Sequence, residues 1–238
     1  MTFNEVYDRV MPEKKRKEER FNIFAHWIGR PISILMTLPL INSKVKPTTV
    51  TKWSIAFATV GFALVAFGPN MLIKVFGWLC FLMWNLLDGV DGNLARCTNQ
   101  CSQMGDLWDT TAGYAAMVFT YFATGIAGYY DSNAIVLCDS HWLLILGGAT
   151  AVISIFPRLV MHKKKSSNID DTGVKALSDK QNFGLKNIIA MNFISPSGFM
   201  QVIFLICIVC HFLNIFVVFY FFVNSAIMLL SLYKLLKK

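Results

Sequence analysis

Residues 85–113 read NLLDGVDGNLARCTNQCSQMGDLWDTTAG, and this stretch decides how the rest of the chain is read. It places four carboxylates, Asp88, Asp91, Asp106 and Asp109, between segments otherwise composed for lipid. A carboxylate at membrane depth is expensive, so several together call for compensation. Hard divalent cations are the natural compensators of clustered carboxylates. Asp88 and Asp91 stand at i, i+3, as do Asp106 and Asp109, so each pair shares one face of a helix. Two such helices would present Asp88, Asp91 and Asp109 to one metal site.

Composition supports the membrane setting. Of the 238 residues, 55% are hydrophobic and 15% charged, which is more apolar than an ordinary soluble domain. Several apolar runs approach the roughly 20 residues that cross a bilayer, which excludes a soluble protein with a large core. The N-terminal MTFNEVYDRVMPEKKRKEERF is polar where a cleavable signal would carry its apolar core, so none is expected. The net charge of +8 fits cytoplasmic loops facing anionic lipid better than nucleic acid. Among six cysteines, Cys207 and Cys210 form a C-x-x-C within an apolar helix, with no second pair at zinc-site spacing. They read as small apolar residues. Cys97 and Cys101, beside the acidic stretch, are expected to be reduced thiols.

The fold class that follows is an all-α integral membrane protein with six transmembrane helices and an N-terminal interfacial helix. Residues 1–45 form the interfacial segment and 46–238 the membrane domain. In the first segment Lys14, Lys15, Arg16, Lys17 and Arg20 would touch headgroups, while Phe21, Ile23, Phe24 and Trp27 dip below them. The run 31–41, bracketed by Pro31 and Pro39, is too short to span and reads as re-entrant or interfacial. Spanning helices are expected at roughly 48–68, 71–95, 104–130, 142–161, 197–211 and 213–234, with a polar stretch over about 163–195. Lys44, Lys46, Lys52, Arg96, Lys163–Lys165 and the C-terminal lysines then fall on one side, leaving little beyond Lys74 on the other. Both termini and the acidic stretch are therefore expected in the cytoplasm.

Carboxylate-held metal at a cytoplasmic membrane surface suits phosphoryl chemistry, with Mg2+ or Mn2+ offsetting phosphate charge. Gly92, next to Asp91, lets a ligand approach the backbone, and Ala95 is small for the same reason. Arg96 is a fork donor suited to phosphate. Gly105 opens the following helix one turn before Asp109.

The spacing Asp88-x2-Asp91-Gly92-x2-Ala95-Arg96-x8-Gly105-x3-Asp109 resembles the signature of the CDP-alcohol phosphotransferase family, D-x2-D-G-x2-A-R-x8–9-G-x3-D-x3-D. Arg30-Pro31 and the stretch Lys46-Pro47-Thr48-Thr49-Val50-Thr51 resemble the family's approach to its first helix. The resemblance implies that Asp88, Asp91 and Asp109 hold Mg2+ or Mn2+. It implies that Gly92, Ala95, Arg96, Ser102 and Gly105, with Thr48, Thr49, Val50 and Thr51, surround the CDP part of a CDP-alcohol such as CDP-diacylglycerol. An acceptor would attack the β-phosphorus and displace CMP, giving a phospholipid or related phosphodiester. The resemblance further implies a homodimer with membrane lipid around it, and no nucleic-acid partner.

One position departs from the pattern. The family's last Asp, a metal ligand and the general base, falls where this chain has Gly113. General-base help is worth about 10²–10⁴ in rate. Three readings follow. Asp106, on about the same face as Asp109 and Gly113, takes the catalytic role; or the acceptor is anionic, or a metal-bound water does the work; or the chain binds CDP-lipid and metal without turnover. Arg158, near the cytoplasmic end of its helix, is a candidate for a phosphate on the acceptor or a lipid, with a snorkelling arginine as the alternative. A cation transporter using the same acids fits less well, because transport sites lie near mid-membrane.

Overall fold

The computed structural model describes residues 1–13, 16, 22–131, 140–166, 192–193 and 198–236. Lys14, Lys15, Lys17, Arg20, Phe21, Cys138, Asp139, Lys237, Lys238 and residues 167–191 of the expected polar stretch lie outside the described residues. The described residues are mostly helical, with no strand among them. Helix α1 is Phe3–Val10, and a π-helical segment Ala25–Gly29 leads into α2, Arg30–Ile41. The long helices are α3, Pro47–Phe67; α4, Met71–Cys97; α5, Gln103–Tyr129; and α6, Ser140–Ser166. A short α7, Met200–Val209, precedes α8, Leu213–Leu236.

Local chemistry sets these boundaries. Pro47 is the first helical residue of α3, behind an extended Lys46, because proline disfavours helix in the residue before it and tolerates the first turn. Asn70 caps α4 by accepting the Ile73 N–H at 3.0 Å, and Ser102 caps α5 by accepting the Gly105 N–H at 3.0 Å. α4 ends where Asn99 turns left-handed (φ 57°) and the Gln100 N–H reaches the Ala95 carbonyl at 2.9 Å. That is the Schellman closure, with asparagine in the place usually taken by glycine.

Among the described residues four helices are long and apolar enough to cross a membrane: Pro47–Phe67, Met71–Cys97, Ser140–Lys164 and Leu213–Tyr233. This defines a multi-pass membrane protein. α5 has the length, at 27 residues, but carries Asp106, Asp109 and several threonines. It packs against α3, α6 and α8, so its surface meets protein on several sides and needs less apolarity. α7 has 10 residues, and at about 1.5 Å per residue it covers only half of a hydrocarbon core of about 30 Å.

The main core lies between the long helices and is aromatic. Phe81, Trp84, Tyr121, Phe204, Phe216 and Tyr220 are all buried there, with the Phe216 and Tyr220 rings 4.4 Å apart. Two glycine pairs bring helices into backbone contact. A Cβ on Gly77 would stand 2.8 Å from the Val65 nitrogen, and one on Gly147 would stand 2.6 Å from the Gly125 Cα. Helix association in lipid depends on such close packing. Gly147→Val is therefore expected to destabilise the α5–α6 crossing by at least the ~1–3 kcal/mol typical of overpacking. A melting curve of the purified protein in detergent checks this, and a melting temperature equal to wild type would contradict it.

The N-terminal elements close one end of the bundle. Val6, Val10 and Met11 bury against Ile34 of α2 and Cys97 of α4. Beside them Val50, Leu87, Val90 and Leu94 form a second cluster with residues of α2. α1 and α2 thus pack directly under the helix ends that carry the acids. Trp27, 72% exposed, and Ile23, 57% exposed, present apolar surface from the connecting segment.

Candidate active site

The acidic stretch is split between the last turns of α4 and the first turns of α5, joined by the turn 98–102. Its backbone geometry brings both pairs of acids to the same end of the bundle as the start of α3. A cavity of about 350 Å³ opens there. Its α3 wall is Lys46, Pro47, Thr48 and Thr51. Its α4 wall is Asp91, Gly92, Ala95 and Arg96, and the turn contributes Gln100, Cys101 and Ser102. Gly105, Asp106 and Asp109 complete it from α5.

Asp91 is the most enclosed of these acids, 5% exposed. The Thr51 hydroxyl lies 2.5 Å from its Oδ2 and 3.2 Å from the Pro47 carbonyl. That bond fixes which carboxylate face looks into the cavity. Arg96 folds back over its own helix, with Nη1 donating to the Gly92 carbonyl at 3.1 Å. A Cβ on Gly92 would sit 3.3 Å from that nitrogen, so the glycine leaves room for the guanidinium to lie along the cavity. Gly89 has a different task. A Cβ there would fall 2.9 Å from Ser33 Cβ, so it permits α2 to press against α4. Asn93 adds weak bonds from Nδ2 to Ser33 Oγ at 3.4 Å and Thr37 Oγ1 at 3.5 Å.

Asp88 does not line this cavity. Its carboxyl meets that of Asp109 within hydrogen-bonding reach, and Asp91, Arg30 and Arg158 lie within electrostatic range. Arg158, on α6, also lies within electrostatic range of Tyr114 and Tyr121. The Tyr114 hydroxyl is buried and has no hydrogen-bond partner among the described residues, and its ring stands edge-on to His162 at 6.0 Å. Tyr114 of α5 and Arg158 of α6 are thus polar neighbours outside the lining of this cavity. Gly113 is beside Tyr114 in sequence, and a Cβ on Gly113 would meet nothing within 4 Å.

Of the residues expected around the donor, Thr48, Thr51, Gly92, Ala95, Arg96, Ser102 and Gly105 line the cavity. Thr49 and Val50 do not; Val50 is fully buried against Leu87, Val90 and Leu94. Ser102 and Gly105 are joined as a helix cap, so their presence has a structural cause as well. Sequence reading passed over Lys46, Gln100 and Cys101 as cavity residues, and Tyr114 as a neighbour of Arg158. Lys46 carried a usable signal, a cation directly before Pro47 and Thr48. Tyr114 carried none.

Every acidic donor here is a hard oxygen, which fits a divalent cation of the Mg2+ kind. Among the described residues no group of three His, Cys, Asp or Glu side chains is placed to hold an ion. The acids instead come together as the Asp88–Asp109 contact, with Asp91 close by.

Long apolar helices that end in a cavity lined by acids, Arg96 and Lys46 define a multi-pass membrane protein with charged chemistry at its helix ends. More particularly, the chain belongs to the CDP-alcohol phosphatidyltransferase family, whose family model matches residues 44–233. The match continues to α8, well beyond the acidic stretch. Members of this family are transferases of phosphate-containing groups that use CDP-alcohol donors and lipid acceptors, and they generally depend on a divalent metal. No curated protein matched the chain.

Proposed function

We propose that this protein moves a phospho-alcohol group, such as phosphatidyl, from a CDP-alcohol to an acceptor, and that the cavity between α3, α4 and α5 holds the CDP part of the donor. One observation carries this reading: a single cavity of about 350 Å³ has Asp91, Asp106 and Asp109 on its walls together with Arg96 and Lys46. Two cations suit a pyrophosphate, and acids beside them suit the divalent ion that accompanies it. Asp91 and Asp109 on the cavity wall, with Asp88 drawn from its contact with Asp109, would hold Mg2+ or Mn2+, which would neutralise pyrophosphate charge. Arg96 and Lys46 orient the diphosphate. The acceptor oxygen forms a bond to the β-phosphorus, the bond from that phosphorus to the bridging oxygen breaks, and CMP leaves with the oxygen.

The acceptor proton needs a base, and Gly113 offers none. Asp106 lines the donor cavity one turn before Asp109 and is the carboxylate left over once the metal ligands are assigned. It takes the proton in the reading preferred here. A second reading is favoured by Arg158, a cation within electrostatic range of Asp88. There Arg158 binds an anionic acceptor that attacks already deprotonated and needs no base. Around this chemistry we place six membrane helices, with α5 and the short α7, whose helical part reaches only about half-way across, joining the four apolar ones. The N-terminus, C-terminus and cavity face the cytoplasm, and two copies associate in lipid.

Donor binding tests the assignment without requiring turnover. Wild-type protein in nanodiscs should bind a CDP-alcohol in a divalent-dependent way, with CMP competing. Arg96→Ala should weaken that binding by about tenfold or more, since charge-assisted bonds to phosphate are among the strong ones. Equal affinity in the variant, or binding indifferent to chelation, would remove the cavity from donor recognition.

A further inference from the structure

Arg9, in α1, reaches across to the end of α4, 87 residues away in sequence. Its Nε donates to the Arg96 carbonyl at 3.1 Å, and its Nη2 donates to Asn99 Oδ1 at 2.7 Å. Both acceptors belong to the Schellman closure. The Arg96 carbonyl is one of the last-turn oxygens that a helix leaves without an internal partner. Asn99 is the left-handed residue that turns the chain out of α4. The residues that follow it, Gln100, Cys101 and Ser102, are the turn edge of the donor cavity, and Ser102 then caps α5. Arg9 itself does not line that cavity. Its helix is held in place by a Thr2–Glu5 capping box and by burial of Val6 and Val10.

We propose that Arg9 is a positioning residue for donor binding: its two bonds to the Arg96 carbonyl and Asn99 hold the α4–α5 turn, and so fix the spacing of Arg96 and Asp91 against Asp106 and Asp109. The inference rests on the proposed donor cavity. The planar guanidinium serves because two donors in a fixed fork meet two acceptors at once, and lysine cannot reproduce this. The N-terminal helix, which precedes the family-matched residues, thereby becomes part of the donor site by indirect contact.

Cys101 supplies a direct readout, being an exposed free thiol on the turn and on the cavity wall. Full-length protein in nanodiscs is alkylated with N-ethylmaleimide, and the rate at Cys101 is read by peptide mass spectrometry while CDP is titrated in the presence of Mg2+. Cys207, buried in the core, reports unfolding. In wild type CDP protects Cys101. In Arg9→Ala the CDP concentration for half protection rises by about tenfold or more, as loss of charge-assisted bonds implies, while Cys207 stays unreactive. Arg9→Lys recovers only part of the loss. Asn99→Gly keeps the left-handed backbone but removes one acceptor, and it should reproduce part of the effect without adding to Arg9→Ala in the double variant. Protection in Arg9→Ala equal to wild type would overturn the inference alone, as would full additivity of the two substitutions. Should Arg9→Ala expose Cys207, Asn99→Gly and Arg9→Lys decide by the same criterion. Absence of CDP protection in wild type would instead overturn the donor cavity, and this inference with it.

Discussion

Replacing Asp91 with alanine is expected to lower CMP release by more than about a hundredfold while leaving the protein folded. Losing groups that merely support a metal ligand already costs about 10–100-fold, and Asp91 is a proposed ligand itself. Its position makes the expectation specific. The residue is 5% exposed and its carboxylate is oriented by the Thr51 hydroxyl at 2.5 Å. Asp91→Asn preserves the shape and can still accept from Thr51, so it should be as inactive as alanine if charge is what matters. Thr51→Val keeps the carboxylate and removes its tether, and it should cost about 10–100-fold. The hydroxyl left behind in Asp91→Ala retains the Pro47 carbonyl at 3.2 Å, so no unpaired donor is created. CMP release from reconstituted protein, with melting curves alongside, checks all three. A folded Asp91→Ala protein with wild-type release would contradict the assignment.

The second large effect concerns the proton. Asp106→Asn should reduce transfer by about 10²–10⁴, the usual worth of a general base. Gly113→Asp should then rescue that variant, because a side chain at 113 meets nothing within 4 Å of its Cβ and stands one turn beyond Asp109. In an otherwise wild-type chain Gly113→Asp should change the rate far less, since Asp106 already serves. The measurement is transfer rate in the two single variants and the double variant. Unchanged transfer in Asp106→Asn would instead favour the anionic acceptor at Arg158. In that case Arg158→Ala should raise the acceptor KM with little change in donor affinity.

The pattern of what could be read from sequence has physical causes. The helix starts expected at roughly 48, 71 and 104 fall within a residue of those observed, Pro47, Met71 and Gln103, because local signals, an N1 proline and the side-chain caps Asn70 and Ser102, set them. The i, i+3 spacing fixes only a rough helix face: Asp106 and Asp109 both line the cavity, whereas Asp91 does and Asp88 does not. The stretch Thr48–Thr51 was legible only in part. Four consecutive residues on a helix point in all directions, so Thr48 and Thr51 reach the cavity while Val50 enters the core. α5 was expected as a spanning helix, yet its apolarity falls short of the four that qualify, since it is packed against α3, α6 and α8. The bonds from Arg9 to the α4 terminus join distant segments, and no local pattern announces such contacts.

The central claim is that the cavity between α3, α4 and α5 holds a CDP-alcohol whose CMP leaves on transfer. The most direct test is to supply purified, reconstituted protein with CDP-diacylglycerol and a panel of neutral and anionic acceptors, and to measure CMP and the new phosphodiester together. Equal amounts of both products are expected with at least one acceptor, with loss of both on chelation and recovery with Mg2+ or Mn2+. Release of CMP that persists under chelation, or donor bound under divalent metal with no CMP formed for any acceptor, would contradict it.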